Sequence, residues 1–153
     1  MEFSCVFSVR DIKISREFYE SIFDLKVATD YGKNIVFDCG LSLQQDFDLM
    51  TGISKEDITI KSNNCELYFE SVDFDSFVNE LRLRRDIELL HDIVEQPWGQ
   101  RVVRFYDPDK HLIEVGENMK IVVKNFLTNG LNIDLIAEKM DITNNEVQKI
   151  LNS

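Results

Sequence analysis

The sequence has few of the residues on which several common classes of protein depend. Its three cysteines, Cys5, Cys39 and Cys65, are widely spaced and form no CxxC pair. An odd and dispersed set argues against a disulfide framework or a cysteine-based zinc site and predicts reduced thiols. His91 precedes a loop-like stretch and His111 lies in a turn, so we expect both histidines at the surface.

Basic residues and long apolar runs are also scarce. Lysine and arginine number 17 against 28 acidic residues, and the formal net charge is -11 at pH 7. Nucleic acids and anionic membranes both attract basic surfaces, so we expect neither as a partner. No apolar run approaches the roughly 20 residues that cross a bilayer, and the N-terminus carries no charged-then-apolar signal region. These features predict a cytoplasmic protein of one ordinary domain, with room for a short appendage.

The first half of the chain has the pattern β-α-β-β-β. Residues 3–9 alternate as a strand does, and Asp11 follows at a point where a helix can begin. Ser15 is a good N-cap for the amphipathic run 16–23. Three short strands are predicted to follow, at Lys26–Thr29, Asn34–Asp38 and Leu41–Gln45.

The second half repeats this order about sixty residues later. Asp73 opens a phenylalanine-rich helix, as Asp11 does in the first half. The predicted strands are Cys65–Val72, Ile87–Val94, Gln100–Tyr106 and Leu112–Gly116. The sequence therefore predicts an α+β fold of two paired β-α-β-β-β modules, at 1–50 and 60–117, which form a curved, cup-like mixed sheet.

Residues 118–153 form a C-terminal helical appendage in this prediction. The segment 132–151 resembles a helix-turn-helix, with Ala137 where two helices would cross closely. DNA binding is one interpretation, and a packing or dimer contact is the other. The lysines of the segment are offset by acidic residues, which favours packing or dimer contact.

The segment from Trp98 to Glu114 joins a strand, a tight Asp-Pro-Asp turn and a second strand that carries a carboxylate. Side chains alternate along a strand, so Glu114 lies on the face opposite Ile113. It then either meets solvent at a sheet edge or faces a concave surface where an acid could act. Trp98 is either a hydrophobic plug under the hairpin or an aromatic wall of a ligand site.

In the segment from Trp98 to Glu114 and in residues 9–19 and 69–73, the chain resembles the vicinal oxygen chelate superfamily. That group contains glyoxalase I, bleomycin-resistance proteins, fosfomycin-resistance enzymes and extradiol dioxygenases. The resemblance covers residues 3–117 and implies a cup in which each module supplies one ligand from its first strand and one from its last. In metal-dependent members a metal ion chelates vicinal oxygens of a substrate and acts as a Lewis acid.

The resemblance also implies a set of site residues. Glu114 falls on the last-strand carboxylate position and Glu66 on a first-strand position where many members have histidine. These two are the predicted catalytic residues and metal ligands. The first module offers Ser4 and either Gln44 or Gln45 as weaker ligand-binding residues, and Trp98 completes the predicted binding set.

Two functions follow from the resemblance. The first is a metal-assisted lyase or isomerase similar to glyoxalase, which uses manganese, nickel, zinc, cobalt or magnesium. The second is a metal-free protein that binds and sequesters a small molecule, as bleomycin-resistance members do. Without a metal, two facing carboxylates would raise the pKa of one of them and create a general base. A homodimer is expected because cups of this family are often completed across subunits.

Overall fold

The computed structural model describes residues 3–153, and these form eight β-strands, six α-helices and one 3-10 helix. The predicted α+β class is confirmed, and the predicted strands agree with the observed ones within two residues at either end. Met1 and Glu2, which the predicted first module included, lie outside the described residues. The chain divides into two compact units. The first runs to Cys65 and includes Tyr106–His111, and the second comprises 66–105 and 112–153.

The first unit contains a four-stranded sheet in the order β1-β4-β3-β2. Strands β1 and β4 are parallel, while β4, β3 and β2 form an antiparallel meander. Helix α1 packs on β3 and β4 and buries Phe18 and Tyr19. The bounds are β1 Cys5–Val9, α1 Ile12–Phe23, β2 Val27–Asp30, β3 Asn34–Phe37, β4 Leu41–Gln45, α2 Phe47–Thr51 and a 3-10 helix at Lys55–Asp57.

The second unit repeats this topology with the order β5-β8-β7-β6. Strands β5 and β8 are parallel, so β8 lies inside the sheet rather than at its edge. Helix α3 buries Phe74, Val78 and Leu81. The bounds are β5 Leu67–Ser71, α3 Phe74–Leu83, β6 Glu88–Glu95, β7 Arg101–Tyr106 and β8 Leu112–Glu117.

Aspartates begin the long helix of each unit. The Asp11 carboxylate accepts hydrogen bonds from the backbone N–H groups of Lys13 and Ile14, and Asp73 accepts one from Ser76. The prediction of Ser15 as the N-cap is wrong, because Asp11 already caps the helix one turn earlier. Ser15 is buried inside α1 and donates to Asp109 Oδ2 at 2.7 Å.

The Asp-Pro-Asp turn belongs to the first unit and is held there by a buried carboxylate. Asp107 is 1% exposed and accepts hydrogen bonds from the Tyr19 hydroxyl at 2.8 Å and from two backbone N–H groups. The His111 ring lies 2.8 Å from the same carboxylate and stacks on Phe7. His111 is therefore a half-buried part of the turn.

Three helices end the chain: α4 Met119–Thr128, α5 Ile133–Met140 and α6 Asn144–Asn152. They share a small apolar core of Val123, Ile136, Ala137, Met140 and Val147. A capping box between Thr143 and Glu146 begins α6. Within residues 3–153, no helix combines the length and the apolar character needed to cross a membrane.

Candidate functional site

Charged side chains gather on one face of the second sheet, and we call this the polar face. It bears Glu66 and Tyr68 from the β5 segment, His91 from β6, Arg104 from β7 and Glu114 from β8. Their neighbours in β7 lie on the other face, where Phe105 packs on Phe77 of α3 and Arg101 pairs with Asp75. Strand alternation therefore directs Arg104 away from α3. Tyr68 and Glu114 are partners in the parallel register of β5 and β8.

Glu114 is almost completely buried, with 5% of its surface exposed. The solvent-facing alternative for this residue is wrong because β8 is an inner strand of the sheet. Its Oε2 forms an ion pair with Nη2 of Arg104. This ion pair keeps the buried Glu114 carboxylate beside a compensating positive charge.

Arg104 connects the charged groups of the polar face. Its Nε donates to Glu66 Oε2 at 2.9 Å, and its Nη1 lies 3.3 Å from His91 Nε2. Burial by itself would lower the pKa of Arg104, but the hydrogen bond to Glu66 and the charge of Glu114 raise it overall. The arginine is therefore a fixed cation between the two predicted carboxylates. His91 lies in β6 and is half-buried.

The environment of Glu114 favours its protonated form. Burial raises the pKa of this carboxyl and the charge of Glu66 raises it further, while Arg104 opposes both effects without cancelling them. Tyr68 responds to the same surroundings: burial raises its pKa to about 12, and Glu70 and Glu114 also act in that direction against a hydrogen bond from Gln100. Glu114 therefore retains its proton to a higher pH than an ordinary surface glutamate does.

The residues of the polar face do not fit a divalent metal ion. A guanidinium already lies between Glu66 and Glu114, and a second cation there would meet its repulsion. Among residues 3–153, no group of three or more histidine, cysteine, aspartate or glutamate side chains is arranged to hold a metal. The assignment of Glu66 and Glu114 as metal ligands stays a prediction from the sequence. Both carboxylates are paired with the Arg104 guanidinium.

The three predicted residues of the first unit have structural contacts of their own. Ser4 donates to the Gly40 carbonyl at 2.9 Å. The Gln44 amide donates to two backbone carbonyls, and Gln45 Oε1 accepts from the Ile12 N–H at the start of α1. Their roles as ligand-binding residues stay predictions.

Trp98 lies in the turn between β6 and β7 and is 37% exposed, so it is not a buried plug. Its indole N–H donates to Gln100 Oε1 at 3.0 Å. The amide nitrogen of Gln100 then donates to the Tyr68 hydroxyl at 2.7 Å. Trp98 is thereby connected to the polar face through buried Gln100, and its contact with a ligand stays a prediction.

Sequence reasoning missed Arg104 and Tyr68, although a signal was present for both. In Arg101–Tyr106 the charged Arg104 stands between the apolar Val103 and Phe105, and period-two alternation places it on the face opposite α3. Tyr68 lies two residues after Glu66 and so shares its face. Only the structure shows that these side chains meet Glu114, Tyr68 through the register of β5 with β8 and Arg104 through its ion pair.

Comparison with known proteins gives the family. A sequence model described as a glyoxalase-like domain matches residues 3–120. No curated protein matches the chain. Among solved structures, a protein of unknown function from Agrobacterium tumefaciens str. C58 is 38% identical, with a TM-score of 0.65, and the match covers 76% of this chain and 94% of that one.

Two more distant structures share the fold. A lactoylglutathione lyase from Agrobacterium tumefaciens is 21% identical, has a TM-score of 0.55 and is matched over 76% of this chain and 92% of its own. A fosfomycin resistance protein from Mesorhizobium loti is 18% identical, has a TM-score of 0.55 and is matched over 76% of this chain and 91% of its own. Together with the domain match, these likenesses confirm the suspected superfamily, and the chain belongs to the glyoxalase-like domain family.

Proposed function

We propose that this protein binds a small oxygen-bearing molecule on the polar face of the second sheet without the help of a metal ion. The observation that carries the proposal is Arg104, whose guanidinium lies between Glu66 and Glu114 and supplies a positive charge there. A guanidinium has five N–H groups, so Arg104 can still donate to a ligand oxygen beyond its contacts with Glu66, Glu114 and His91.

The other groups of the polar face complement a neutral or weakly polar ligand. The Glu114 carboxyl group lies beside Arg104 and offers a ligand a hydrogen-bond acceptor or, when protonated, a donor. The half-exposed ring of Tyr68 offers an apolar surface beside it. The lactoylglutathione lyase and the fosfomycin resistance protein that share this fold carry the names of small molecules, and these names support a ligand of that size.

Binding can be tested with a panel of α-hydroxycarbonyl compounds, vicinal diols and small carboxylates. We expect at least one class to raise the melting temperature and to change the emission of Trp98, the single tryptophan. The variant Arg104→Met should bind at least about tenfold more weakly, since a hydrogen bond from a charged donor contributes about 1.5–3 kcal/mol.

Two controls accompany this test. Arg82→Met, which removes an exposed arginine paired with Asp92, should bind like the wild type. The double variant Arg104→Met/Glu114→Gln removes both members of the ion pair and so avoids an unpaired buried charge. Binding that is unchanged in both Arg104 variants would overturn the role of the arginine.

The absence of a metal requirement needs its own experiment. Manganese, nickel, zinc, cobalt and magnesium should each leave the melting temperature of the wild type unchanged. In Arg104→Ala the two carboxylates lose their cation, and we expect stabilisation by at least one of these ions. Saturable stabilisation of the wild type by any of them would contradict the proposal and favour the metal-assisted lyase.

The raised pKa of Glu114 favours a second function, a metal-independent lyase or isomerase in which Glu114 is the general base. Such an enzyme would exchange the proton next to the carbonyl of a bound α-hydroxycarbonyl compound with solvent deuterium, which NMR detects. Glu114→Gln should abolish this exchange while binding persists. Binding of such a compound without any deuterium exchange in the wild type would contradict the lyase or isomerase and support only the binding function. The homodimer and the cytoplasmic location stay predictions.

A further inference from the structure

The C-terminal helices contact the second sheet at both ends of one series of side-chain hydrogen bonds. The glyoxalase-like match stops at residue 120, so most of α4 and all of α5 and α6 lie outside it. Nothing in the family match assigns these helices a role. Their contacts with Glu70 and Gly99 indicate one.

The first contact is at the start of α4. Asn118 occupies the N-cap position, but its side chain accepts no capping hydrogen bond. Glu70 of β5 takes that place: its Oε2 accepts from Met119 N at 3.3 Å and from Asn118 Nδ2 at 2.9 Å. A carboxylate at a helix N-terminus also interacts favourably with the helix dipole. Glu70 therefore fixes the beginning of α4 on the sheet.

The second contact is at the turn between β6 and β7. Gly99 has a φ of +86°, and a methyl group added there would lie 2.3 Å from Phe126 Cζ and 3.2 Å from Lys139 Cε. The Gly99 N–H donates to the Gln96 carbonyl at 2.8 Å, which closes the turn. The turn that carries Trp98 thus packs directly on α4 and α5, with no room for a side chain.

A continuous series of side-chain hydrogen bonds joins these two contacts. Trp98 donates to Gln100 at 3.0 Å, Gln100 donates to the Tyr68 hydroxyl at 2.7 Å, and Tyr68 donates to Glu70 Oε1 at 3.0 Å. Gln100 is 2% exposed, and its amide nitrogen also donates to the Glu117 carbonyl at 2.8 Å. Gly116 leaves the space for it, because a methyl group there would lie 2.5 Å from Gln100 Nε2.

We propose that the C-terminal helices are a positioning element for the polar face, acting through Glu70 and the Trp98 turn on Tyr68 and Trp98. Tyr68 is the positioning residue at the centre of this hydrogen-bond series, because it lies opposite Glu114 and is hydrogen-bonded to both Gln100 and Glu70. A rearrangement of α4 changes the hydroxyl direction of Tyr68 and the setting of the Trp98 indole. The coupling exists without a ligand, and its effect on binding rests on the proposed function.

Trp98 makes the coupling measurable, since its emission comes from the only tryptophan. Glu70→Gln alters the contact with α4 without touching Trp98. We expect it to shift the emission maximum of Trp98 and to increase acrylamide quenching. Tyr68→Phe keeps the ring and removes the hydroxyl, and should shift the emission in the same direction. The exposed Tyr31→Phe is the matched control and should leave Trp98 unchanged.

Hydrogen exchange provides a second readout in the same proteins. The amides at the start of α4 should exchange about three- to tenfold faster in Glu70→Gln and in Tyr68→Phe, as the loss of one hydrogen bond predicts. Amides of β1 and α1 in the first unit should keep their wild-type rates, which separates local release from general destabilisation. Phe126→Leu, which trims the contact at Gly99, should also shift the Trp98 emission.

The outcomes are distinct. Emission and α4 exchange that stay at wild-type values in Glu70→Gln and Tyr68→Phe overturn the coupling, whether or not a ligand binds. Emission and exchange that respond as described support it, even if every compound of the binding panel fails. In that case only the proposed binding function is lost.

Discussion

Two buried glutamates of β8 differ in the contacts that an arginine makes with each of them. Glu117 faces the α3 side and accepts from both the backbone N–H and the guanidinium of Arg101, at 3.1 and 2.6 Å. Glu114, three residues earlier, faces the polar side and forms an ion pair with Arg104. Glu117 is part of a structural hydrogen-bond network. At Glu114 burial raises the pKa of the carboxyl.

The raised pKa of Glu114 predicts a pH dependence of stability. The folded state binds this proton more tightly than the unfolded state, so the contribution to the free energy of unfolding is present at low pH. It is lost as pH rises from the ordinary glutamate pKa of about 4.3 through the higher folded value. Relative to Glu114→Gln, the wild type should therefore lose stability over this window, as urea unfolding at several pH values would show. Glu80→Gln, at an exposed site of α3, is the control, and a flat or rising difference for Glu114→Gln would contradict the prediction.

At the scale of elements, the turn between β7 and β8 shows what the family motif does. Its aspartates bind α1 and the backbone of the turn: Asp107 accepts from Tyr19, and Asp109 accepts from Arg10 and Ser15. The aspartates of the family motif thus hold the turn between β7 and β8 in place. The candidate chemistry lies on the strands that this turn joins.

Asp107→Asn should therefore destabilise the fold strongly. The amide cannot accept from all the donors that now converge on the carboxylate, and Tyr19 is completely buried beside it. We expect a loss of about 3 kcal/mol in the free energy of unfolding, measured by denaturant titration. Tyr19→Phe removes a single donor and should cost about 1 kcal/mol. Equal losses for both variants would show that the network is not centred on Asp107.

Sequence patterns predicted the elements well and the interactions between them poorly. Alternation and repeated order gave the strands of both sheets, because each has one face against a helix. Ser15 was misassigned because a serine before an amphipathic run looks like a cap, whereas the earlier Asp11 had already begun the helix. The pairing of Tyr68 with Glu114 was not foreseen, since strand register depends on contacts between segments distant in sequence.

At the scale of the whole molecule, charge separates the C-terminal helices from the DNA-binding proteins that they resemble. The chain has a net charge of -11, and Lys139 and Lys149 are accompanied by Asp134, Glu138 and Glu146. Lys139 also lies over the ring of Phe126, 5.4 Å from its centre, which directs it toward α4.

We expect no binding to duplex DNA at low salt, about 50 mM, where electrostatic attraction would be strongest. Fluorescence anisotropy of a labelled duplex measures this directly. Saturable binding that disappears in the variant Lys139→Glu/Lys149→Glu would contradict the expectation and restore the helix-turn-helix interpretation.

The position of Arg104 has a consequence for the conditions under which the protein can work. A metal ion is acquired from the surroundings and can be withdrawn by a chelator or by starvation. The guanidinium between Glu66 and Glu114 is made with the chain, and its charge persists throughout the physiological pH range. The polar face therefore keeps its cation in a cell depleted of manganese or zinc.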